Sequence, residues 1–330
     1  MTEVPRLVLL VGAPRSGTTW LQTMLGAHPD VVTPQETDLF SRYLQPLLNS
    51  WAREETGGPE RWARRRYKGL HSVLTDDEFT EVGRAMLETI VSRASALRPG
   101  SSFVVEKTPA HSQCAEAIAR FAPDAVVVHL VRDGRDAAAS MVAASTSWGG
   151  WWAPRTVARA GVMWRKHVEG ARRCAATNPY LEIRYEDLRR DGASALAPVF
   201  AHCGLAVDEA TCSGWIEQYS LDRMSAGEGT IAIGGAFAPA AGEHRSEPQG
   251  FFGRAARGAW EEVWSTEDRL AFATVAGELL IELAYADDHA WAGDDRARNR
   301  YARRVARQRR VAGRLVRIGL RGEAMERRLP

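Results

Sequence analysis

A short apolar run that ends in glycine and reopens as a helix sets the strongest constraint on this chain. Leu7 to Val11 (LVLLV) is flanked by Arg6 and by Gly12 and Pro14, the profile of a strand buried on both faces. Thr18 to Ala27 is expected to form the first helix: Thr18 and Thr19 suit its opening turn, Leu21, Met24 and Leu25 share a face, and His28-Pro29 stops it. Between them lies Gly12-Ala-Pro-Arg-Ser-Gly-Thr-Thr19. A glycine-bounded turn from a buried strand into a helix presents backbone N–H groups that can cradle an anion.

The same punctuation recurs. Val31 and Val32 resume extended chain, apolar runs return at Phe103 to Val105 and Ala125 to Val131, a more alternating one spans Tyr180 to Tyr185, and helix-like stretches separate them. This β-α-β rhythm predicts an α/β fold with a central parallel sheet and helices on both faces. With 330 residues, 45% of them hydrophobic and 25% charged, the chain is ample for one large α/β domain. That domain is expected over 1–295, with an inserted helical layer over about 51–98 and an Arg-rich helical tail over 296–330. Residues 227–250, rich in Gly, Ala and Pro, are too long for an ordinary connector and read as a functional loop.

Composition excludes some classes. A net charge of +2 is not that of a general nucleic-acid binder. The four cysteines (Cys114, Cys174, Cys203, Cys212) form no C-x-x-C pair or Cys/His cluster, so no metal site is expected. The start, MTEVPRLVLLVG, lacks the basic region and apolar length of a signal peptide or membrane span, and a cytoplasmic protein is expected. Lys68, Lys107 and Lys166 are the only lysines among 43 basic residues, so a lysine kept inside a motif carries information.

A nucleotide triphosphatase loop reads G-x-x-x-x-G-K-S/T, with its lysine on the outer phosphates, whereas Thr18 stands at that position here. Pro14-Arg-Ser-Gly-Thr-Thr-Trp-Leu21 instead resembles the phosphosulfate loop of the sulfotransferase family that uses 3'-phosphoadenosine 5'-phosphosulfate (PAPS), P-K/R-S/A-G-T-T/S-x-L. The resemblance implies a P-loop nucleotide-kinase-like fold and a 5'-phosphosulfate held by Arg15, Ser16, Gly17, Thr18, Thr19 and Trp20. A second motif, Arg132-Asp-Gly-Arg-Asp-Ala-Ala-Ala-Ser140, places an arginine at a strand tip and a serine on the next helix. By resemblance, Arg132 and Ser140 bind the 3'-phosphate.

Val105-Glu-Lys-Thr-Pro-Ala-His111 puts Lys107 at the carboxyl end of another strand, the edge where open parallel sheets bind ligands. It resembles the K-T-P-A segment of glycan-modifying members, which implies that Lys107 offsets charge on the bridging oxygen. Glu106 reads as a simple partner for Lys107. Small-molecule members carry a histidine two residues after that lysine, but Pro109 occupies the position here. His28-Pro-Asp-Val31 followed by Glu36 is similar to the glutamate-base context of tyrosylprotein and heparan members, so Glu36 is the expected general base, with His111 and Asp38 as substitutes.

Two late segments complete the resemblance. Ile183-Arg-Tyr-Glu-Asp-Leu188 is similar to the family's Y-E-D-L stretch and brings in Tyr185. Phe251 to Trp260 (FFGRAARGAW) resembles R-K-G-x-x-G-D-W and implicates Arg254, Arg257 and Gly258 in 3'-phosphate binding. The family's dimerisation segment is not reproduced at Glu261, Thr266 and Leu270, which leaves the oligomeric state open. Ser147-Trp-Gly-Gly-Trp-Trp152 suits either a mobile lid or packing under the following helix.

The resemblance thus implies a transferase that moves a sulfuryl group from PAPS to a hydroxyl or similar nucleophile by in-line displacement, without metal, leaving 3'-phosphoadenosine 5'-phosphate (PAP). The acceptor, whether small molecule, glycan, lipid or peptide tyrosine, is not legible. A nucleotide kinase is the alternative that Thr18 disfavours, and a silent PAP-binding protein the one that Glu36 and Lys107 disfavour. The tail is expected to contact an acidic carrier protein or anionic membrane, or to pack on its own domain.

Overall fold

The computed structural model of the protein describes residues 4–55, 69–226, 251 and 257–317; the proposed loop at 227–250 and Arg254 lie outside them. Its strands are β1 (Arg6–Val11), β2 (Val31–Val32), β3 (Phe103–Lys107), β4 (Val126–Val131) and β5 (Tyr180–Arg184). They form one sheet in the order β2-β3-β1-β4-β5, every neighbouring pair parallel. Val8, Leu9, Leu10 and Val11 are all at 0% exposure, and successive strand residues face opposite ways, so the sheet is covered on both sides. The expected α/β fold with a parallel sheet is therefore the one observed.

The chain divides into two compact units, the first comprising residues up to Val131 and those from His167 to Gly253. It holds the sheet with α1 (Thr18–Gly26), α2 (Gln45–Glu55), α3 (Asp76–Ser95), α4 (Ala115–Phe121), the last turn of the helix that ends at Arg172, α7 (Tyr185–Cys203), α8 (Glu209–Gln218) and α9 (Leu221–Ser225). Leu9, Val11, Val104 and Val127 pack with Phe40, Trp51, Phe79, Ile118 and Phe121 into one core cluster. Helix α3 begins where the sequence offers a capping box: Glu78 N–H donates to Thr75 Oγ1 at 3.3 Å, and Thr75 N–H to Glu78 Oε2 at 2.7 Å. Just past α3, Arg98 Nη1 donates to the carbonyls of Gly26, His28 and Val31 at 3.2, 3.0 and 2.7 Å. One guanidinium thereby closes the end of α1 and fixes the entry of β2.

The second unit spans Arg132 to Lys166 and the chain from Arg254 onward. It contains α5 (Gly134–Ser145), most of α6 (Val157–Arg172), α10 (Trp260–Val263), α11 (Thr266–Glu282) and α12 (Asp295–Arg317). Aromatic contacts hold it together: Phe272 lies 5.9 Å from Trp164 and 5.2 Å from Trp264, and Trp260 lies 5.6 Å from Trp291. Helix α12, the expected tail helix, buries Tyr301 and Val305 against Ala158 and Ala271.

Within the first unit, His167 is 5% exposed, its Nδ1 lying 2.7 Å from Ser112 Oγ and 3.0 Å from the Pro109 carbonyl. Burial pushes the imidazole down from 6.5 to about 4, although the Pro109 bond acts the other way. A histidine held neutral in the fold takes up protons on unfolding, so its contribution is complete above about 6.5 and is lost as pH falls toward 4. The slope from this one group is at most about 1.4 kcal/mol per pH unit. His167→Gln is expected to flatten the fall in unfolding free energy between these two pH values, as read by denaturant titration.

Candidate active site

The loop between β1 and α1 owes its shape to two backbone demands. Arg15 and Gly17 adopt positive φ, at 69° and 93°, and Ser16 N–H closes a turn on the Ala13 carbonyl at 3.1 Å. A Cβ on Gly12 would stand 2.5 Å from the Leu130 carbonyl oxygen, and one on Gly17 2.6 Å from the Tyr185 ring, so glycine is required at both. The first amides of α1 have no acceptor inside the helix, and no acidic side chain occupies its first turn. Ser16 is fully buried, and its Oγ has no hydrogen-bond partner among the described residues. A buried hydroxyl and a row of amides at a glycine cradle fit a bound anion.

The other predicted loop residues divide into lining and support. Thr18 is buried and Thr19 half-buried, and the Thr19 carbonyl accepts from Thr23 Oγ1 at 2.9 Å. Trp20 is buried, donates from Nε1 to the Tyr219 carbonyl at 2.7 Å and meets the Tyr185 ring edge-on at 5.8 Å. Tyr185 thus backs the loop from the start of α7. Arg15 donates to the Phe251 carbonyl, and its guanidinium lies 4.3 Å over that ring.

Leu10 is in register with Lys107, so the loop and the lysine share the carboxyl edge of the sheet. The Lys107 ammonium pairs with the Glu36 carboxylate, the lysine side chain being 5% exposed and the glutamate 43%. The two residues predicted as base and charge stabiliser, separated by the whole helical layer in sequence, are brought into contact. Glu106 is not the partner of Lys107, because adjacent strand residues face opposite ways. Its Oε1 accepts from Thr37 N–H at 3.0 Å, Thr37 Oγ1 at 2.8 Å and Thr108 Oγ1 at 2.6 Å, while Oε2 lies 2.8 Å from His111 Nδ1. Burial would raise this carboxyl, but His111 and the Thr108 and Thr37 donors outweigh it and hold the group below its ordinary value.

The substitute bases are engaged elsewhere. His111 is fully buried, with Nε2 accepting from Phe40 N–H at 3.1 Å and Nδ1 against Glu106, so it is not placed to take an acceptor's proton. Asp38, at φ 53°, meets Arg42 Nε at 2.8 Å and accepts from Ser41 Oγ at 3.1 Å.

In the second unit Arg132, which follows β4 directly, is buried, as is Ser140 on α5. The Arg132 carbonyl accepts from Trp164 Nε1 at 3.1 Å. Asp136, which sequence reasoning passed over, accepts from Gly258 N–H at 2.9 Å and Trp260 N–H at 3.2 Å, and so ties the late glycine segment to the start of α5. Burial raises its carboxyl, partly offset by the Gly258 bond and the Arg132 charge. Two predicted 3'-phosphate segments, one with Arg132 and one with Gly258, thus meet through Asp136. Arg257 is exposed and Gly258 has φ 78°. Arg135 is also new to the site's framework: it clasps Asp133 at 2.6 Å and stacks between Trp260 and Trp291 at 4.6 and 5.1 Å. Only the spacing of its D-G-R-D run hinted at this. In the 147–152 segment, the Trp148 and Trp152 rings approach to 5.7 Å while Trp151 is 84% exposed.

The family model described as Sulfotransferase family matches residues 5–209, more than half of the chain, and the chain belongs to the sulfotransferase family. Protein-tyrosine sulfotransferase 1 of Mus musculus is 29% identical over 136 residues, which cover 41% of this chain and 34% of that protein. Its Danio rerio counterpart is 30% identical over 137 residues, covering 41% and 35%. The chain spans about a third of the length of these curated relatives. Among solved structures, the sulfotransferase domain of the Synechococcus PCC 7002 olefin synthase is 21% identical with a TM-score of 0.41, covering 63% of this chain and 77% of that one. A mouse sulfotransferase complexed with PAP is 16% identical with a TM-score of 0.49, covering 87% and 88%.

Two glycines separate strain from clash. Gly100 has φ 90° with nothing within 4 Å of a Cβ, whereas Gly17 has φ 93° and the Tyr185 ring in the way. Gly100→Ala is expected to cost about 1 kcal/mol in backbone strain, and Gly17→Ala about 2 kcal/mol more from overpacking. Paired denaturant titrations measure the difference.

Proposed function

We propose that the protein transfers a sulfuryl group from PAPS to a hydroxyl or similar nucleophile, by in-line displacement with Glu36 as general base. The observation that carries this reading is the Glu36–Lys107 pair, beside the anion-fitting loop at the sheet's carboxyl edge. Ser16, Gly17, Thr18, Thr19, Trp20 and Arg15 would hold the 5' end of PAPS, and Arg132, Ser140, Arg257 and Gly258 its 3'-phosphate, with Tyr185 as the backing ring. When bound, PAPS supplies the activated sulfuryl group and leaves as PAP.

The pair also links proton transfer to charge stabilisation. Glu36 is the more exposed partner and is reachable by an acceptor hydroxyl, while Lys107 is enclosed. Once Glu36 accepts the proton, its charge no longer holds the ammonium. Lys107 is then left to offset charge gathering on the leaving oxygen, where a preorganised cation acts most strongly. The acceptor follows from the relatives only as a first probe: peptide tyrosine, the acceptor class their names give.

The tail supports an acidic partner. Arg296, Arg300, Arg303 and Arg307 are exposed at alternating four- and three-residue steps along α12, one face of a helix, and the sequence continues the row with Arg310, Arg314 and Arg317. Replacing the first four by glutamine is expected to weaken binding to anionic phospholipid vesicles or to polyglutamate, whichever the native chain binds, in co-sedimentation across salt.

PAP and PAPS are expected to raise the melting temperature, equivalent to about 2.7 kcal/mol at a hundred times the dissociation constant, and ATP much less because it lacks a 3'-phosphate. Equal stabilisation by ATP would return the kinase reading. With an acceptor identified by mass spectrometry, Glu36→Gln should retain the PAP-induced shift and lose turnover by roughly 10²-fold or more.

A further inference from the structure

The segment that carries Glu36 crosses the end of β3, and two consecutive residues of each meet there: Glu36 with Lys107, and Thr37 with Glu106. Glu106 and Lys107 leave opposite faces of β3, so the loop is gripped from both sides. On the inner side the grip is fixed at two points. Glu106 Oε1 takes both the backbone N–H and the hydroxyl of Thr37, and His111, itself against Glu106, accepts from Phe40 N–H.

The direction of every bond in this chain is determined. Phe40 N–H can only donate, so His111 Nε2 is bare and the ring proton sits on Nδ1, facing Glu106 Oε2. Thr37 N–H can only donate, so Glu106 Oε1 must accept. Oε1 therefore faces fixed donors and Oε2 lies against the imidazole edge, and a neutral amide of the same size would turn its NH₂ toward one or the other. A buried carboxylate, 5% exposed and met by three donors and an imidazole, is built for that one state.

We infer that Glu106 is a positioning residue: from the inner side of β3 it fixes the Thr37–Phe40 segment and so aims Glu36 at Lys107. The inference rests on the reading of Glu36 and Lys107 as the reacting pair, yet its test needs no acceptor. The chain has three lysines, so protein labelled with ¹³C at lysine Cε gives three resonances, and Lys107→Arg identifies one of them.

Glu36→Gln removes the carboxylate charge facing the Lys107 ammonium and should shift its resonance. Glu106→Gln should shift the same resonance in the same direction, and in the double variant Glu36→Gln/Glu106→Gln it should stay where Glu36→Gln alone leaves it. Thr37→Val and Thr108→Val, which keep the carboxylate and remove one hydroxyl donor each, should give smaller shifts of the same sign and report on the clamp should Glu106→Gln not fold. A Lys107 resonance unmoved by Glu106→Gln or by either threonine variant, or shifts that add in the double variant, overturns the inference. A clamp that fails this cycle while Glu36→Gln still abolishes turnover removes the positioning role alone. A coupled resonance with turnover intact in Glu36→Gln removes the base assignment alone.

Discussion

Burial of the sheet on both faces governs everything else in this protein. A strand whose consecutive residues are all at zero exposure has no side from which a substrate can approach. Reactive groups are thereby displaced to the one place where parallel strands end together, the carboxyl edge. There β1 gives way to an anion-fitting turn and β3 ends on Lys107, with the β1–β3 register setting the two side by side. The hydrophobic driving force that builds the core also decides where chemistry can be.

At that edge the alternation of strand side chains does a second job. It sends neighbouring residues in opposite directions, so two adjacent charges on β3 serve different ends: Lys107 meets the more exposed Glu36, and Glu106 the backbone that carries it. A lysine side by side with a glutamate in sequence invites pairing between them, and geometry forbids it. The pair that Lys107 does make, with Glu36, is instead between segments that only the fold unites.

This explains what the sequence could and could not reveal. The turn from Gly12 to Thr19, the strand at Phe103 and the parallel rhythm were legible because each is a local pattern of apolar runs and glycines. Glu36 and Lys107 were legible as members of motifs, though their contact was not. The roles of Glu106 and Asp136 were hidden because the groups they hold in place, the Thr37 and Gly258 backbone amides, lie far along the chain and could belong to any residue type. A lone carboxylate in sequence carries no mark of the amide it will find. His111 shows the reverse: a histidine expected as a substitute base that the fold spends on holding Phe40 and Glu106.

Arg98 has a bearing on how such a protein can be recombined. Its guanidinium sits at the return from the helical layer, yet what it holds is the end of α1 and the start of β2, through three carbonyl oxygens. The layer between the first and third strands is therefore not a cassette with inert ends. A transplanted layer that lacked an arginine at its exit would leave those carbonyls without their shared donor and loosen the strand from which Glu36 departs. Exchange between relatives has a natural seam before this residue rather than after it, so that the arginine stays with the carbonyls it holds.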